Sequence, residues 1–380
     1  MIKHFRDLLS DRVRIENFKR AINASVNHNS VVVEIGTALG TYSFFAARAG
    51  AKSIYAIEMS DIYYVGRELA RLNNLDDRIN FIHGRSTDVE IPERADIIIM
   101  EDFSPFFFYQ NLEEVIHDAH RRFLKPDGNF LPAKLTLYIA PFECQPWYDE
   151  LNIFLAEHDR LFGFDWSYTT DIAFNQTYYA DSHPKKLLTE PFKIKTIDFK
   201  SDTGFPFQIQ TELSIREDGH IQGLLGWWDC WFSDDQFFSN SPQVGNHGWG
   251  QLIFPFQYPV NVKSGESVKI SLMVLESPPR GFIDYKWEIE HHSGIQEQNT
   301  FAGRFLDFQQ FSSIRRDIIP SLNEKGLMRA FFLNQIDGKH SWDEIAESIR
   351  MAFPDKFSCR EDVFKMLTSL SKYLKEDKNY

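Results

Sequence analysis

Residues 31–60 read VVVEIGTALGTYSFFAARAGAKSIYAIEMS. Val31-Val32-Val33 and Ile35 form an apolar run too short for a helix. It ends on Glu34 and enters a turn bounded by Gly36 and Gly40. Thr41 to Ala49 then has helical composition and is closed by Gly50, and Ser53 to Met59 forms a second short apolar run. Strand, glycine turn, helix and strand within thirty residues predict a parallel βαβ unit. Outward from it the same grammar continues. IYYVGRELARLNNL predicts a helix, INFIHG and ADIIIMED predict two more strands, and LEEVIHDAHRRFLKPDG predicts a helix ended by the Pro-Asp-Gly turn. Upstream, Ile15, Phe18 and Ile22 recur at helical spacing, so residues 5–24 are expected to form one amphipathic leading helix. The sum is an α/β, Rossmann-like, doubly wound sheet over residues 30–133, preceded by a helical segment over 1–29. Ligands in such sheets lie at the carboxyl ends of the strands.

From Lys134 the period changes to two. KLTLYIAPF, FKIKTIDF, FQIQTELSIRE, GQLIFPFQYPV, VKISLMVLE and YKWEIEHH predict an antiparallel β-barrel or sandwich over residues 134–305. The more helical insert near 145–170 is a candidate subunit contact. Past residue 311 the chain turns helical again, with Ser341 and Glu344 spaced as a capping box.

The net charge of −13 argues against nucleic acid as a partner, because phosphate neutralisation needs clustered lysine and arginine. Cys144, Cys230 and Cys359 are far apart and odd in number, which fits buried thiols in a reducing cytoplasm and offers no metal-ligand spacing. The 35 phenylalanines point mainly to aromatic cores. No run is long and apolar enough to predict a membrane helix or a signal peptide.

Glycines at a strand-to-helix turn let a ligand approach backbone amides. Glu58, some two dozen positions later at the end of the second strand, is placed to take the hydroxyls of a ribose. With no lysine-serine pair after the glycines, phosphate binding is not required, and Glu34 favours a ligand bearing an amino group.

These motifs, with LLSDRVRIENFKRAI and FLKPDGNFLPAKLTLYIAP, resemble the S-adenosylmethionine-dependent methyltransferases of the protein arginine methyltransferase family over about residues 5–305. The resemblance implies S-adenosylmethionine as donor, S-adenosylhomocysteine as product, no metal, a dimerisation arm on the barrel and a homodimer. It implies that Arg14 grips the methionine carboxylate, that Glu34, Gly36 and Gly40 line the amino-acid end and that Glu58 holds the ribose. Ser86 and Thr87 stand at the adenine, where the family's acidic residue is missing. Glu101 matches the first of the family's paired acceptor glutamates. The second position reads Gln110, and DFSPFFFY replaces the intervening signature. The family's Thr-His-Trp loop appears as Asn246-His247-Gly248-Trp249-Gly250-Gln251, with Gly248 at the histidine position. Asp102, His247 and Trp249 join Glu101 and Gln110 as candidate acceptor-site residues.

Residues 311–380 resemble PqqD-like modules, small winged-helix units that hold leader peptides. Together the two resemblances lead to the expectation of a cytoplasmic methyltransferase acting on a side chain of a ribosomally made peptide or a protein. The alternatives are an arginine N-methyltransferase with a changed glutamate loop, and a non-catalytic scaffold.

Overall fold

The computed structural model describes residues 2–108, 111–152, 163–164, 166–180, 182–201, 207–244, 248–277, 282–304, 319, 321–322, 324–357 and 359–368. The chain forms two compact units, Met1–Arg304 and Phe305–Tyr380.

The first unit opens with two helices, α1 (Ile2–Ser10) and α2 (Arg12–Ser25), rather than the single helix the periodicity suggests. Asp11 breaks them: it leaves the helical conformation and caps α2, its carboxylate accepting from the Arg14 amide. Phe18 and Ile22 are buried on α2, as their spacing requires, and Arg14 is buried with them.

The βα alternation follows as β1 (Val31–Ile35), α3 (Thr41–Arg48), β2 (Ser53–Glu58), α4 (Ile62–Leu72), β3 (Ile79–His83), β4 (Ala95–Met100), α5 (Leu112–Arg122) and β5 (Leu124–Leu131). The five strands pair in parallel in the order β3-β2-β1-β4-β5. The order reverses between β1 and β4, and the carboxyl ends of these two strands carry Glu34 and Glu101. One expectation fails here. The Pro-Asp-Gly stretch does not end a helix: α5 stops at Arg122, and residues 125–128 lie within β5 beside a register shift against β4. Gly128 is required there, since a β-carbon would stand 3.0 Å from the carbonyls of Ala95 and Asp96.

Antiparallel sheets follow. One has four strands, Phe207–Ser214, Ser267–Ser277, Phe282–His291 and Gly294–Asn299. The other has seven, centred on Lys134–Glu143, Gly219–Trp231 and Leu252–Val262. The parallel sheet and these strands share one hydrophobic core, with Phe18, Ile98, Phe106, Trp228 and Trp287 all fully buried in it. Helices cover Gln145–Leu151 and Ser167–Phe174; most of the arm expected between them lies outside the described residues. Cys144 and Cys230 are buried free thiols and Cys359 is partly exposed.

The second unit has three described helices, Glu324–Gln335, Trp342–Ala352 and Arg360–Thr368, around Phe332, Ile345, Ile349 and Val363. The capping box of Ser341 and Glu344 is present in both directions. No strand occurs among its described residues. Among the described residues, no helix is long and apolar enough to cross a membrane.

Candidate active site

The turn after β1 is organised by Glu34. Its Oε2 accepts from the Thr37 hydroxyl at 2.8 Å, the Ser43 amide at 2.7 Å and the Ser43 hydroxyl. This carboxylate therefore ties the glycine turn to the first turn of α3. Burial pushes its pKa up to about 7 against these three donors. Gly36 and Gly40 adopt φ of +72° and +82°, a conformation that a side chain resists. Glu58 closes the other wall: Oε2 accepts from the Ala38 amide at 3.0 Å and Oε1 from the Ser60 amide at 2.8 Å. Ser86 and Thr87 sit on the loop after β3. The Ser86 carbonyl accepts from Arg122 at 2.5 Å, and the Thr87 hydroxyl donates to Asp88 at 3.0 Å. That loop is thereby pinned from below, and Asp88 supplies an acidic group one position past the expected place.

Across the strand crossover, β4 delivers Glu101 and Asp102. Arg14 Nη1 lies 3.1 Å from Glu101 Oε1, and its Nε lies 3.4 Å from Asp11 Oδ2. The guanidinium carbon stands 3.7 Å over the Trp249 ring, so the charge is flanked by two carboxylates and an aromatic face. Burial pushes the Glu101 carboxyl up to about 8; Arg14 opposes this, while Asp102 and Glu34 add to it. Asp102 lies over the glycine turn, with its Cβ 3.7 Å from where a β-carbon on Gly36 would be.

The aromatic stretch that follows Glu101 is mortar between the parallel sheet and the barrel strands. Phe103 stacks on Trp249 at 5.2 Å, and its carbonyl accepts from Trp249 Nε1 at 3.1 Å. Ser104 and Phe107 close a tight turn in which Phe107 takes φ of +71°, an outlier for a bulky residue. Phe106 enters over Gly226, where a β-carbon would stand 2.7 Å from its ring. Trp228 Nε1 donates to the Ser104 carbonyl at 3.1 Å. Asn240 Nδ2 donates to the carbonyls of Pro105 and Gly250 at 2.9 and 2.6 Å, and its Oδ1 accepts from the Trp228 amide at 2.7 Å. Asn240 thus joins the Glu101 loop to the Trp249 loop. Asn240→Ala is expected to cost about 2–3 kcal/mol by leaving buried groups unpaired, seen as a lower urea midpoint together with a loss of turnover. An unchanged midpoint would remove Asn240 from this role.

The loop opposite supplies Gly248 and Trp249. The Gly248 amide donates to Asp11 Oδ2 at 2.9 Å. A β-carbon on Gly248 would lie 3.3 Å from both Arg14 Nη2 and Asp11 Oδ2, so glycine suits this approach better than the family's histidine. Gln110 and His247 lie outside the described residues. The structure therefore gathers Arg14, Glu101 and Trp249, and sets Glu34, Gly36, Gly40 and Glu58 on the adjacent turns. Asp11, Asn240 and Trp228 were not anticipated. Only Asp11 had a signal, as an N-cap residue three positions before Arg14. Among the described residues one grouping of metal-ligand types occurs, Glu266, His291 and His292, where Glu266 already accepts from the Lys263 amide at 2.8 Å.

Two family models match the chain: an arginine methyltransferase oligomerization subdomain over residues 133–293 and a TRM5/TYW2 methyltransferase domain over residues 8–122. Protein arginine N-methyltransferase PRMT10 of Oryza sativa subsp. japonica is 27% identical over 77% of this chain and 87% of its own length. The histone-arginine methyltransferase CARMER of Anopheles gambiae is 30% identical over 74% of this chain and 48% of its own length. Among solved structures, the Trypanosoma brucei PRMT1 enzyme-prozyme heterotetrameric complex with AdoHcy superposes with a TM-score of 0.71 at 20% identity. It covers 78% of this chain and 97% of that one. Arabidopsis thaliana protein arginine methyltransferase 10 gives 0.67 at 23% identity, over 79% and 98%.

Proposed function

We propose that this chain, an S-adenosylmethionine-dependent methyltransferase of protein arginine methyltransferase-like fold, transfers the methyl group to a guanidinium nitrogen of arginine in a protein or peptide. The observation that carries the reading is the clamp itself. Glu101 and Trp249 already hold one guanidinium, that of Arg14, at 3.1 and 3.7 Å. A carboxylate and an aromatic face at the end of β4 are the groups that neutralise and orient such a planar cation.

The same turns support a place for the donor. Glu58 offers its carboxylate to the ribose, the Gly36–Gly40 turn admits the amino-acid portion against backbone, and Arg14 faces the carboxylate. Bound S-adenosylmethionine supplies an electrophilic methyl. The chain's residues align the acceptor nitrogen with it and exclude water, which accounts for much of the rate in such transfers. Glu101 localises the guanidinium charge on the nitrogens it holds. Asp102, exposed just past the end of β4, is our candidate to receive the proton that the methylated nitrogen releases.

Arginine has more support than the broader peptide reading, because the relatives and the superposable structures are named for arginine methylation. A ribosomally made peptide held by the C-terminal unit rests on that unit's three helices alone. The oligomerization subdomain match supports assembly into oligomers, and a homodimer is the form we favour.

The test is methyl transfer from labelled donor to a peptide carrying one arginine and one lysine, with the product hydrolysed and its amino acids separated. Methylarginine is expected; label on lysine, or no label while the donor binds, would reject the acceptor. A pH profile adds a second check. Glu101 must be ionised to hold a cation, and in the ligand-free site its carboxyl is raised to about 8. With both substrates subsaturating, kcat/KM should rise about tenfold per pH unit between roughly 6 and 7, bend near 8 and level above about 9. A flat profile would exclude Glu101 as the titrating group.

A further inference from the structure

Tyr42, in the first turn of α3, is 5% exposed, and its hydroxyl meets no hydrogen-bond partner among the described residues. Its ring stacks on Phe18 at 4.6 Å, and Phe18 lies one helical turn beyond Arg14 on α2. The phenol is thus held against the helix that carries the guanidinium. Burial first, and then the nearby carboxylates of Glu101, Glu34 and Asp11 against the opposing Arg14, push its pKa well above the ordinary phenol range, so the hydroxyl stays protonated and a donor. None of these three carboxylates accepts from it. Glu34 is engaged by Thr37 and Ser43, Asp11 by the Arg14 and Gly248 amides, and Glu101 by Arg14. Arg14 Nε, buried and 3.4 Å from Asp11 Oδ2, likewise makes no hydrogen bond among the described residues.

Two buried donors on facing helices, neither making a hydrogen bond among the described residues, leave donor capacity open. Phenylalanine would fill the same volume, keep the stack on Phe18 and avoid burying an unpaired hydroxyl. An anionic group entering beside Arg14 would satisfy both donors at once.

We propose that the Tyr42 hydroxyl donates a hydrogen bond to the α-carboxylate of the methyl donor, beside the Arg14 guanidinium. This assigns a binding role to a residue outside the motifs that identify the donor site, and it rests on the S-adenosylmethionine reading. A carboxylate has lone pairs enough for both donors, and two donors fixed on separate helices hold it in one orientation.

The experiment compares wild type with Tyr42→Phe in the full chain, by calorimetry with S-adenosylhomocysteine and with 5′-methylthioadenosine, which lacks the amino-acid portion. The variant should bind S-adenosylhomocysteine about five- to tenfold more weakly. It should bind 5′-methylthioadenosine as wild type does, and melt at the same or a higher temperature without ligand. Equal affinity for S-adenosylhomocysteine overturns the assignment, as does an equal loss for both ligands. A lower ligand-free melting temperature would mean that the hydroxyl serves the fold, and overturns it too. Failure of wild type to bind S-adenosylhomocysteine overturns the donor reading and this assignment with it, which separates the two failures.

Discussion

Glu101→Gln is expected to lower kcat/KM for an arginine peptide by at least about 100-fold while changing donor affinity by less than about threefold. The amide keeps the shape of the carboxylate and one acceptor oxygen for Arg14, now 3.1 Å away, so the crevice should persist. What disappears is the negative charge that a guanidinium needs. A charge-assisted hydrogen bond in a dehydrated site contributes roughly 2–5 kcal/mol when one partner is removed. Two decades in rate correspond to about 2.7 kcal/mol. The variant should also lose the rising limb of the pH profile, because the group raised to about 8 is gone. Single-turnover methylation and donor calorimetry on the same preparation decide the matter. Near-normal turnover would mean that Glu101 is only a counter-ion for Arg14, and the acceptor would then have to be sought elsewhere on the crevice.

The place of Glu101 was legible because the run from Ile97 to Met100 is apolar throughout and belongs to a βα alternation, which fixes where a strand end must lie. The surroundings were less so. Phenylalanines 103 and 106–108 read as core from composition and do bury themselves between the parallel sheet and the barrel strands, but no local pattern says against what. Which of an aromatic cluster's faces meets solvent depends on partners far along the chain, here Trp228, Trp249 and Phe254. The strand Gly219–Trp231 escaped the period-two search for a related reason. It is central in its sheet and almost continuously buried, so it shows no alternation, and its glycines mark close approaches to Phe254 and Phe106 rather than turns.

The break at Asp11 shows the same limit on a smaller scale. Helical spacing runs through residues 5–24, and Asp11 is an ordinary polar residue on that pattern. Its Oδ1 caps α2 locally, while its Oδ2 takes the amide of Gly248, more than two hundred residues later, a contact that no local pattern predicts. The same contact bears on the missing histidine. At Gly248 a β-carbon would stand 3.3 Å from both Asp11 Oδ2 and Arg14 Nη2, so any side chain there would need both to give way.

Arg14→Lys separates the two functions that meet at this residue. Arg14 is a strut, because Asp11, Glu101 and the Trp249 face all converge on it, and it is also the group we assign to the donor's carboxylate. Complete removal confuses these roles. Arg14→Ala would leave two carboxylates without their cation in a buried site, a change that costs about 3–5 kcal/mol of stability on its own. Lysine keeps the charge near both carboxylates but presents a point ammonium in place of a planar fork. It cannot stack on Trp249 and reach a carboxylate on each side at once. The expected result is a stability loss below about 2 kcal/mol with a 30- to 100-fold weaker binding of S-adenosylhomocysteine. Wild-type donor affinity in a destabilised Arg14→Lys would assign Arg14 to the scaffold alone. Because the lysine variant retains the countercharge for Glu101, its turnover at saturating donor should recover toward wild type, whereas that of Glu101→Gln should not. That contrast divides donor binding from acceptor orientation across a single ion pair.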